Sequence, residues 1–509
     1  MNQVSQGESN KLATMSSFPS SSSSGRSSGS SGSSGNNRGN NRGSKPPLPQ
    51  LCGKRSQPED DLREGRRHGQ RRFGESLEQD LELVYFGGVV TGLGIIDLVQ
   101  QILEKHTTPD GQISFREPDY RWLVECLNRA QQYEVLVKQL EHLFLSHKLS
   151  FPFKKFYIGN LQEMFQRLVV YKWRTSTEPF FIPNIRQFLS QREPFRPWYG
   201  HPGAHLTLPS PPEDYHLIDS IVDGTCQELQ RLKAHLRHKK TSPWEYWYED
   251  GGAQTVIRRV LSRREDLCSE RLRETLYTLH PECTQFKPTL ALSIYSMFNA
   301  TRALDISAGW GDRLVAALAC PSVQQYLAFD PNLDLKPGHD EILDRFCPAG
   351  KERASFQVRY QPFESALIEE TGFDICFSSP PFFDFESYSA LPGQSILTYP
   401  QLDRWMVFFL FAAMKNAWDH LRVDGHLVLH ITDVGRTRVC EAMCLYAEWM
   451  LPNSLYLGVI SSLAGARKNR PMWVWRRLAA KSEIHFQSPE QQLQTHYPSL
   501  YQLLHPSPV

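Results

Sequence analysis

Ala303-Leu304-Asp305-Ile306-Ser307-Ala308-Gly309-Trp310-Gly311-Asp312-Arg313 runs from a short apolar strand, through a turn of small residues, into a helix. The spacing predicts a strand over 303–306 and a helix from Arg313 to Ala319. Small residues in the intervening turn let the backbone approach a ligand closely, and glycine reaches φ values closed to other residues. Taken alone, this is as readily a tight strand-to-helix turn as a binding loop. It lacks the G-x-G-x-x-G spacing, so a dinucleotide pyrophosphate is not its natural guest.

The same pattern repeats outward from this turn. Tyr326–Phe329, Phe373–Phe377 and His426–Ile431 read as further strands, and Leu402 to His420 reads as a helix between two of them. Strands and helices alternating on this scale predict an α/β domain built on a mostly parallel, doubly wound sheet. Open sheets of that kind place their ligands at the carboxyl ends of the strands.

Two further features follow the turn at successive strand ends. Asp330, in Phe329-Asp330-Pro331-Asn332, lies 25 positions after Asp305. By itself it could cap a helix. With the glycine turn before it, it is placed to accept hydrogen bonds from both hydroxyls of a ribose, which indicates an adenosyl ligand. Next comes Phe377-Ser378-Ser379-Pro380-Pro381-Phe382-Phe383-Asp384. Two consecutive prolines fix φ and remove two donors, so the carbonyls of Ser379 and Pro380 are held outward. A polar side chain beside a stiff carbonyl forms a two-acceptor cradle for an amino group, and Phe382 offers a ring for a planar base to stack on.

Ser379-Pro380-Pro381-Phe382 resembles the [D/N/S]-P-P-[Y/F/W] signature of the S-adenosylmethionine-dependent amino-methyltransferases that modify adenine N6 or cytosine N4. The resemblance covers about Leu276 to Arg477. It implies a Rossmann-like methyltransferase sheet, with Ser379, Pro380, Pro381 and Phe382 as the catalytic loop and S-adenosylmethionine as cofactor. It further implies cofactor contacts from Asp305, Ser307, Gly309, Gly311, Asp312 and Asp330. Cys283 to Thr289, including Lys287, is similar to the segment covering the methionine end of the cofactor, and Phe363 and Glu364 fall where the family meets the adenine ring. The longer run Ser-Pro-Pro-Phe-Phe-Asp-Phe-Glu is similar to uncharacterised phage and large-virus methyltransferases. Serine at the first loop position is more typical of cytosine N4 enzymes, and Trp310 is bulky beside a ligand. The alternatives are a methyltransferase of proteins or small molecules, and a non-catalytic methyltransferase-like scaffold.

The rest of the chain divides by composition. Residues 1–75, rich in Ser, Gly, Asn and Arg, bury too little apolar surface to offset the entropy of ordering, and so predict a disordered tail. Within it, Lys54-Arg55 and Arg66 to Arg72 fit a two-part nuclear import signal, an arm for phosphate backbones or simply a solvated tail. Over 76–180, Leu123, Leu127, Val135, Leu136, Leu140, Leu143 and Phe144 recur at helical spacing and predict a mainly helical domain. Residues 181–275 read as a Pro-rich connector carrying a helix from Tyr215 to Lys239 with a basic end, then Trp244, Tyr246, Trp247 and Tyr248. Cations beside rings suit a single-stranded nucleic-acid groove, but such rings more often plug a domain interface, and a basic helix end also complements its own dipole. Residues 276–480 form the expected methyltransferase domain and 481–509 an extension.

A net charge of +1 argues against a high-capacity, non-specific nucleic-acid binder and leaves room for local basic patches. The partner that the resemblance implies is a nucleic acid, DNA or RNA, and on this charge it would be engaged locally. No apolar run approaches the roughly 20 residues of a membrane span, and no secretory signal is evident, so an intracellular protein is expected, nuclear if the basic tail is an import signal. The ten cysteines contain no C-x-x-C pair, and Cys440 and Cys444 lack a histidine pair, so reduced thiols and no metal site are expected.

Overall fold

The computed structural model describes residues 151–154, 158–172, 206–212, 215, 217–248, 252–263, 269–433, 437–462, 471–480 and 488–506. The expected tail, most of the expected helical domain and much of the Pro-rich connector lie outside these residues.

Eight strands form one sheet: β1 (Leu206–Leu208), β2 (Arg302–Asp305), β3 (Gln325–Phe329), β4 (Phe356–Arg359), β5 (Phe373–Ser378), β6 (Leu421–His430), β7 (Ser454–Ser462) and β8 (Met472–Arg477). Their spatial order is β1-β7-β8-β6-β5-β2-β3-β4. Only β8 runs antiparallel to its neighbours, β6 and β7. From β2 the chain winds one way through β3 and β4, then crosses back and winds the other way through β5 and β6. The reversal lies between β2 and β5, where a doubly wound sheet opens a crevice at its carboxyl edge. The α/β, Rossmann-like architecture expected for the C-terminal half is present.

Strand residues alternate between two apolar layers. Ala303, Tyr326, Ile375, Phe377 and Val428 face one core, with the helices Pro288–Met297, Asp312–Ala319 and Lys336–Phe346. Leu304, Leu327, Cys376, Leu427 and Leu429 face the other, with the segment 402–420 and helix Val439–Met450. Covering both faces is what near-continuous apolar strands require. Helix Ile158–Val169 belongs to the first layer, and its Phe165 stacks on Phe346 with ring centroids 5.1 Å apart. The C-terminal helices Pro489–His496 and Pro498–Leu504 join the second layer through Leu493 and Leu500.

Two expectations about local structure change, and the aromatic cluster takes one of the readings open to it. The helix expected from Tyr215 to Lys239 is broken into a 3-10 turn over Ile218–Gly224, a helix over Gln227–Lys233 and a two-residue strand, His235–Leu236. The break falls at Thr225, whose hydroxyl donates to the Val222 carbonyl. Arg231 does not offer its charge to solvent: it is 1% exposed and binds Asp223 and Glu282. Within the aromatic cluster Trp247 is buried against Phe151 and Trp244 stacks on the same ring at 5.6 Å, while Tyr248 stays exposed. Finally, the helix expected over 402–420 contains a π-helical segment, Met406–Phe411, between two α-helical stretches. Such segments are frequent at functional sites, and Phe409 from this one lines the cleft described next.

No helix among the described residues is long and apolar enough to cross a membrane.

Candidate active site

Asp305, at the end of β2, is fully buried and acts as a knot beneath the carboxyl edge. Its Oδ2 accepts from Arg313 Nε at 2.7 Å and from the Tyr326 hydroxyl at 2.7 Å. Its Oδ1 accepts from the Ser378 hydroxyl at 2.8 Å and the Ser307 amide at 3.2 Å. Arg313 also donates to the Ser307 carbonyl. One carboxylate thus ties the glycine turn, the following helix, the start of β3 and the end of β5 together. A buried charge is tolerated because it is paired and its lone pairs are used.

The turn itself is shaped by Gly309 and Gly311, at φ +58° and +96°. A Cβ on Gly309 would meet nothing within 4 Å, whereas one on Gly311 would sit 2.6 Å from Ile342 Cδ1. Asp330 Oδ2 accepts from the Gly309 amide at 2.9 Å, and its Oδ1 accepts from the Asn332 amide at 2.9 Å. Burial pushes the Asp330 carboxyl up to about 6, against the opposing pull of these two amides. His339 completes the turn, with Nε2 2.8 Å from the Gly309 carbonyl and Nδ1 3.0 Å from the Tyr360 hydroxyl. A carbonyl only accepts, so the proton belongs on Nε2 and Tyr360 donates to Nδ1. Burial lowers this imidazole to about 4 and keeps it neutral.

The Ser379-Pro380-Pro381-Phe382 loop leaves β5 beside the turn. Phe383 takes φ 51°, and its ring packs edge-on against the buried Trp405 at 5.7 Å. Trp405 in turn donates to the Ser395 hydroxyl at 3.1 Å. Ser379 Oγ lies 2.9 Å from His430 Nδ1, at the end of β6. The His430 ring contacts Phe382 at 5.7 Å and Phe286, edge-on, at 5.1 Å. Asp384 is engaged elsewhere, in an ion pair with Arg237 at 3.0 Å.

These parts enclose one cleft of about 1040 Å³, counting its open mouth. Of the residues expected at the site, Ser307, Gly309, Asp312, Asp330, Phe363, Glu364, Ser379, Pro380, Pro381 and Phe382 line it. Three do not. Asp305 lies behind the wall, Gly311 packs against Ile342 and His339, and Lys287 reaches Asp219 at 3.7 Å. Trp310 lines the cleft and meets Tyr388 edge-on at 5.8 Å, so it walls the pocket. Glu364 accepts from Tyr399, and burial raises its carboxyl to about 7.

Sequence reasoning gave no site role to Glu386, Gln394, Ser395 or His430, which also line the cleft; the first of them closes the Ser-Pro-Pro-Phe-Phe-Asp-Phe-Glu run. His430, at the end of β6, puts its ring in the cleft wall, bonded to Ser379. Glu386 is buried and accepts from the Tyr388 hydroxyl at 2.6 Å. Gln394 Nε2 and Asp312 Oδ1 are buried without a hydrogen-bond partner among the described residues. Burial, then the Asp223 charge, raises the Asp312 carboxyl well above its ordinary value. An unpaired donor and an unpaired acceptor in one apolar-walled cleft are what a polar ligand would satisfy.

Neither a protein-family description nor a curated protein matches the chain. Among solved structures it is similar to an rRNA methylase from Streptococcus thermophilus, at 12% identity over 38% of this chain and 99% of the other, with a TM-score of 0.27. It is similar also to TrmN from Thermus thermophilus, at 12% identity over 41% and 67%, with a TM-score of 0.28. A SAM-dependent O-methyltransferase from Thermotoga maritima matches at 12% identity over 40% and 69%, with a TM-score of 0.25. The doubly wound architecture rests on the strand order itself.

Proposed function

We propose that the chain is an S-adenosylmethionine-dependent methyltransferase acting on the exocyclic amine of a nucleic-acid base, adenine N6 or cytosine N4. The observation that carries this reading is the meeting of the glycine turn, Asp330 and the Ser379–Phe382 loop in one cleft at the switch point of the sheet.

The donor set fits the cofactor. Each Asp330 oxygen takes one backbone amide and keeps a lone pair, one for each ribose hydroxyl. Phe363 and Glu364 suit the adenine ring, the first by stacking and the second by accepting an amino hydrogen. Gln394 Nε2 and Asp312 Oδ1, unpaired and buried, suit the carboxylate and ammonium of the methionine end. Open space at Gly309 leaves room for close approach. When bound, S-adenosylmethionine supplies a sulfonium methyl as electrophile.

The protein's own contribution is orientation. Pro380 and Pro381 have no amide hydrogen, so the backbone there offers acceptors and no competing donors. With the Ser379 hydroxyl proton given to His430 Nδ1, the Ser379 oxygen lone pairs and the Pro380 carbonyl accept both amine hydrogens. The nitrogen lone pair is then aimed across the cleft, and Phe382 holds the base by its face. No side chain need remove the proton before transfer, and Asp384 is occupied by Arg237.

The test is transfer of labelled methyl from S-adenosylmethionine to duplex DNA, single-stranded DNA, RNA and protein pools, followed by digestion and mass identification. Label in N6-methyladenine or N4-methylcytosine nucleosides is the expected result. Label only in protein or in small molecules would overturn the base assignment. Absence of cofactor binding by calorimetry would overturn the enzyme and leave the scaffold.

A further inference from the structure

The loop that carries Ser379–Phe382 is clamped from outside by a basic segment. His235–Leu236 pairs antiparallel with Glu386–Ser387, register His235 with Ser387 and Leu236 with Glu386. The Arg237 amide extends the pairing by donating to the Phe385 carbonyl at 3.0 Å. The Arg237 guanidinium reaches Asp384. Glu386 lines the cleft, so its bridge partner Leu236 stands one strand outside the cleft wall, and Arg237 to Lys240 follow from it.

Those residues are strongly cationic. The run from Lys233 to Lys240 contains Lys233, Arg237, Lys239 and Lys240, two histidines and no acid. Lys239 is used internally, donating to the Leu279 carbonyl at 2.8 Å. Lys233, Arg237, His238 and Lys240 are exposed. The turn is rigid at both ends: Lys239 N donates to the Leu236 carbonyl, and Ser242 and Glu245 form a reciprocal cap on helix Pro243–Tyr248. A near-neutral chain thus concentrates positive charge on a fixed turn hydrogen-bonded to its own substrate loop.

We infer that Lys233–Lys240 is a phosphate track, holding the backbone of a single-stranded nucleic acid whose target base enters the cleft past Phe382. The inference rests on the reading of the cleft as a base-amine site. A single strand is favoured because the cations sit on one short segment, from the end of helix Gln227–Lys233 to Lys240, that pairs with the loop carrying Ser379–Phe382. The Trp247 ring is buried against Phe151 and Trp244 stacks on that same ring, so both indoles are engaged within the fold, while Tyr248 stays exposed. Affinity along the track then comes from charge, and base contact from the cleft itself.

The experiment uses the full chain and a Lys233→Gln/Lys240→Gln variant. Both lysines are exposed and outside the cleft, and calorimetry with S-adenosylmethionine reports whether the fold and cofactor site persist. Binding of single-stranded RNA and DNA oligonucleotides is measured across salt concentrations, with methyl transfer in parallel. The expected result is unchanged cofactor affinity and a higher KM for the methylated oligonucleotide. The slope of log K against log salt should shrink by about 0.7 for each phosphate that the variant no longer neutralises on a single strand. A change in the RNA series alone or the DNA series alone names the polymer. A variant with unchanged oligonucleotide slope and KM, in an enzyme that methylates oligonucleotides, overturns the track and leaves the cleft reading standing. A wild-type protein that binds cofactor but neither binds nor methylates any oligonucleotide overturns both.

Discussion

Ser379 Oγ and His430 Nδ1 stand 2.9 Å apart across the carboxyl edge of the sheet, joining the ends of two neighbouring parallel strands, β5 and β6. The contact fixes the rotor of the hydroxyl that the proposed mechanism uses as an acceptor. A serine hydroxyl alone is free to turn its proton toward the incoming amine and repel it; a partner on the far side prevents that.

Ser379→Ala is therefore expected to slow methyl transfer by roughly 100-fold, the scale on which small misplacements cost rate. His430→Phe, which keeps a ring against Phe382 and Phe286, should slow it by roughly 10-fold by releasing the rotor. Cofactor affinity should be unchanged in both. The double variant should be no slower than Ser379→Ala, because the two act as a unit. Single-turnover rates with calorimetry check this, and additive effects would show that His430 acts independently of Ser379.

Cofactor affinity should depend on pH through Asp330 and Glu364, two of the carboxyls that line the cleft. Burial holds Asp330 at about 6 and Glu364 at about 7, both above their ordinary values of 3.8 and 4.5. A raised carboxyl means that folding disfavours its charged form. The penalty is absent below about pH 4 and grows as pH rises, to completion above about pH 6 for Asp330 and about pH 7 for Glu364. Binding has the opposite sense, because the ionised carboxylates supply the acceptors. Affinity should fall in two steps as pH drops through about 7 and then about 6. Glu364→Gln should remove the upper step and Asp330→Asn the lower, measured by calorimetry at half-unit intervals. A pH-independent affinity in wild type would remove both residues from the site.

Much of this site was legible because its marks are local. Gly309, Pro380 and Pro381 constrain the backbone wherever they stand, and strand residues such as Ile375, Cys376 and Phe377 announce a two-faced strand by being apolar throughout. The doubly wound sheet follows from that pattern. What stayed hidden depends on partners far along the chain. Arg231 looks like a surface cation until Asp223 and Glu282 are placed beside it. The helix pattern from Tyr215 runs on past Thr225, whose bond to Val222 stops it. A three-residue strand such as β1 carries no periodicity to read. His430 sits at a strand end, where the sequence does not say which neighbour its ring will meet, and Lys287 turns to Asp219, an acid 68 positions earlier.

The two glycines of the turn should separate ligand binding from stability. Gly311→Ala forces a Cβ to 2.6 Å from Ile342 Cδ1 at φ +96°, and should cost roughly 2–3 kcal/mol, the upper range for backbone strain. Gly309→Ala keeps a φ near the left-handed minimum with no clash, so its cost should be about 1 kcal/mol. Its larger effect should fall on cofactor affinity, since the added methyl stands in the cleft wall. Chemical denaturation beside calorimetry resolves the two. Equal weakening of affinity in both variants, after correction for stability, would place Gly311 at the ligand as well.

The Asp305 knot should behave as structure rather than as a cofactor contact. Asp305→Ala leaves Arg313, 4% exposed, without its counter-charge, and deprives the Tyr326 and Ser378 hydroxyls of an acceptor. Breaking a buried pair from one side costs about 3–5 kcal/mol, because the remaining charge is stranded in a low-dielectric interior. Removing both charges avoids that penalty, so Asp305→Leu/Arg313→Met should recover much of the stability. It should not recover activity, since the Ser307 carbonyl would lose Arg313 and the Ser307 amide would keep only Ser378 Oγ of its two acceptors. Urea denaturation of the three proteins, with methyl transfer on the double variant, is the check. A double variant as unstable as the single one would show that the hydroxyl bonds, and not the ion pair, hold the carboxyl edge together.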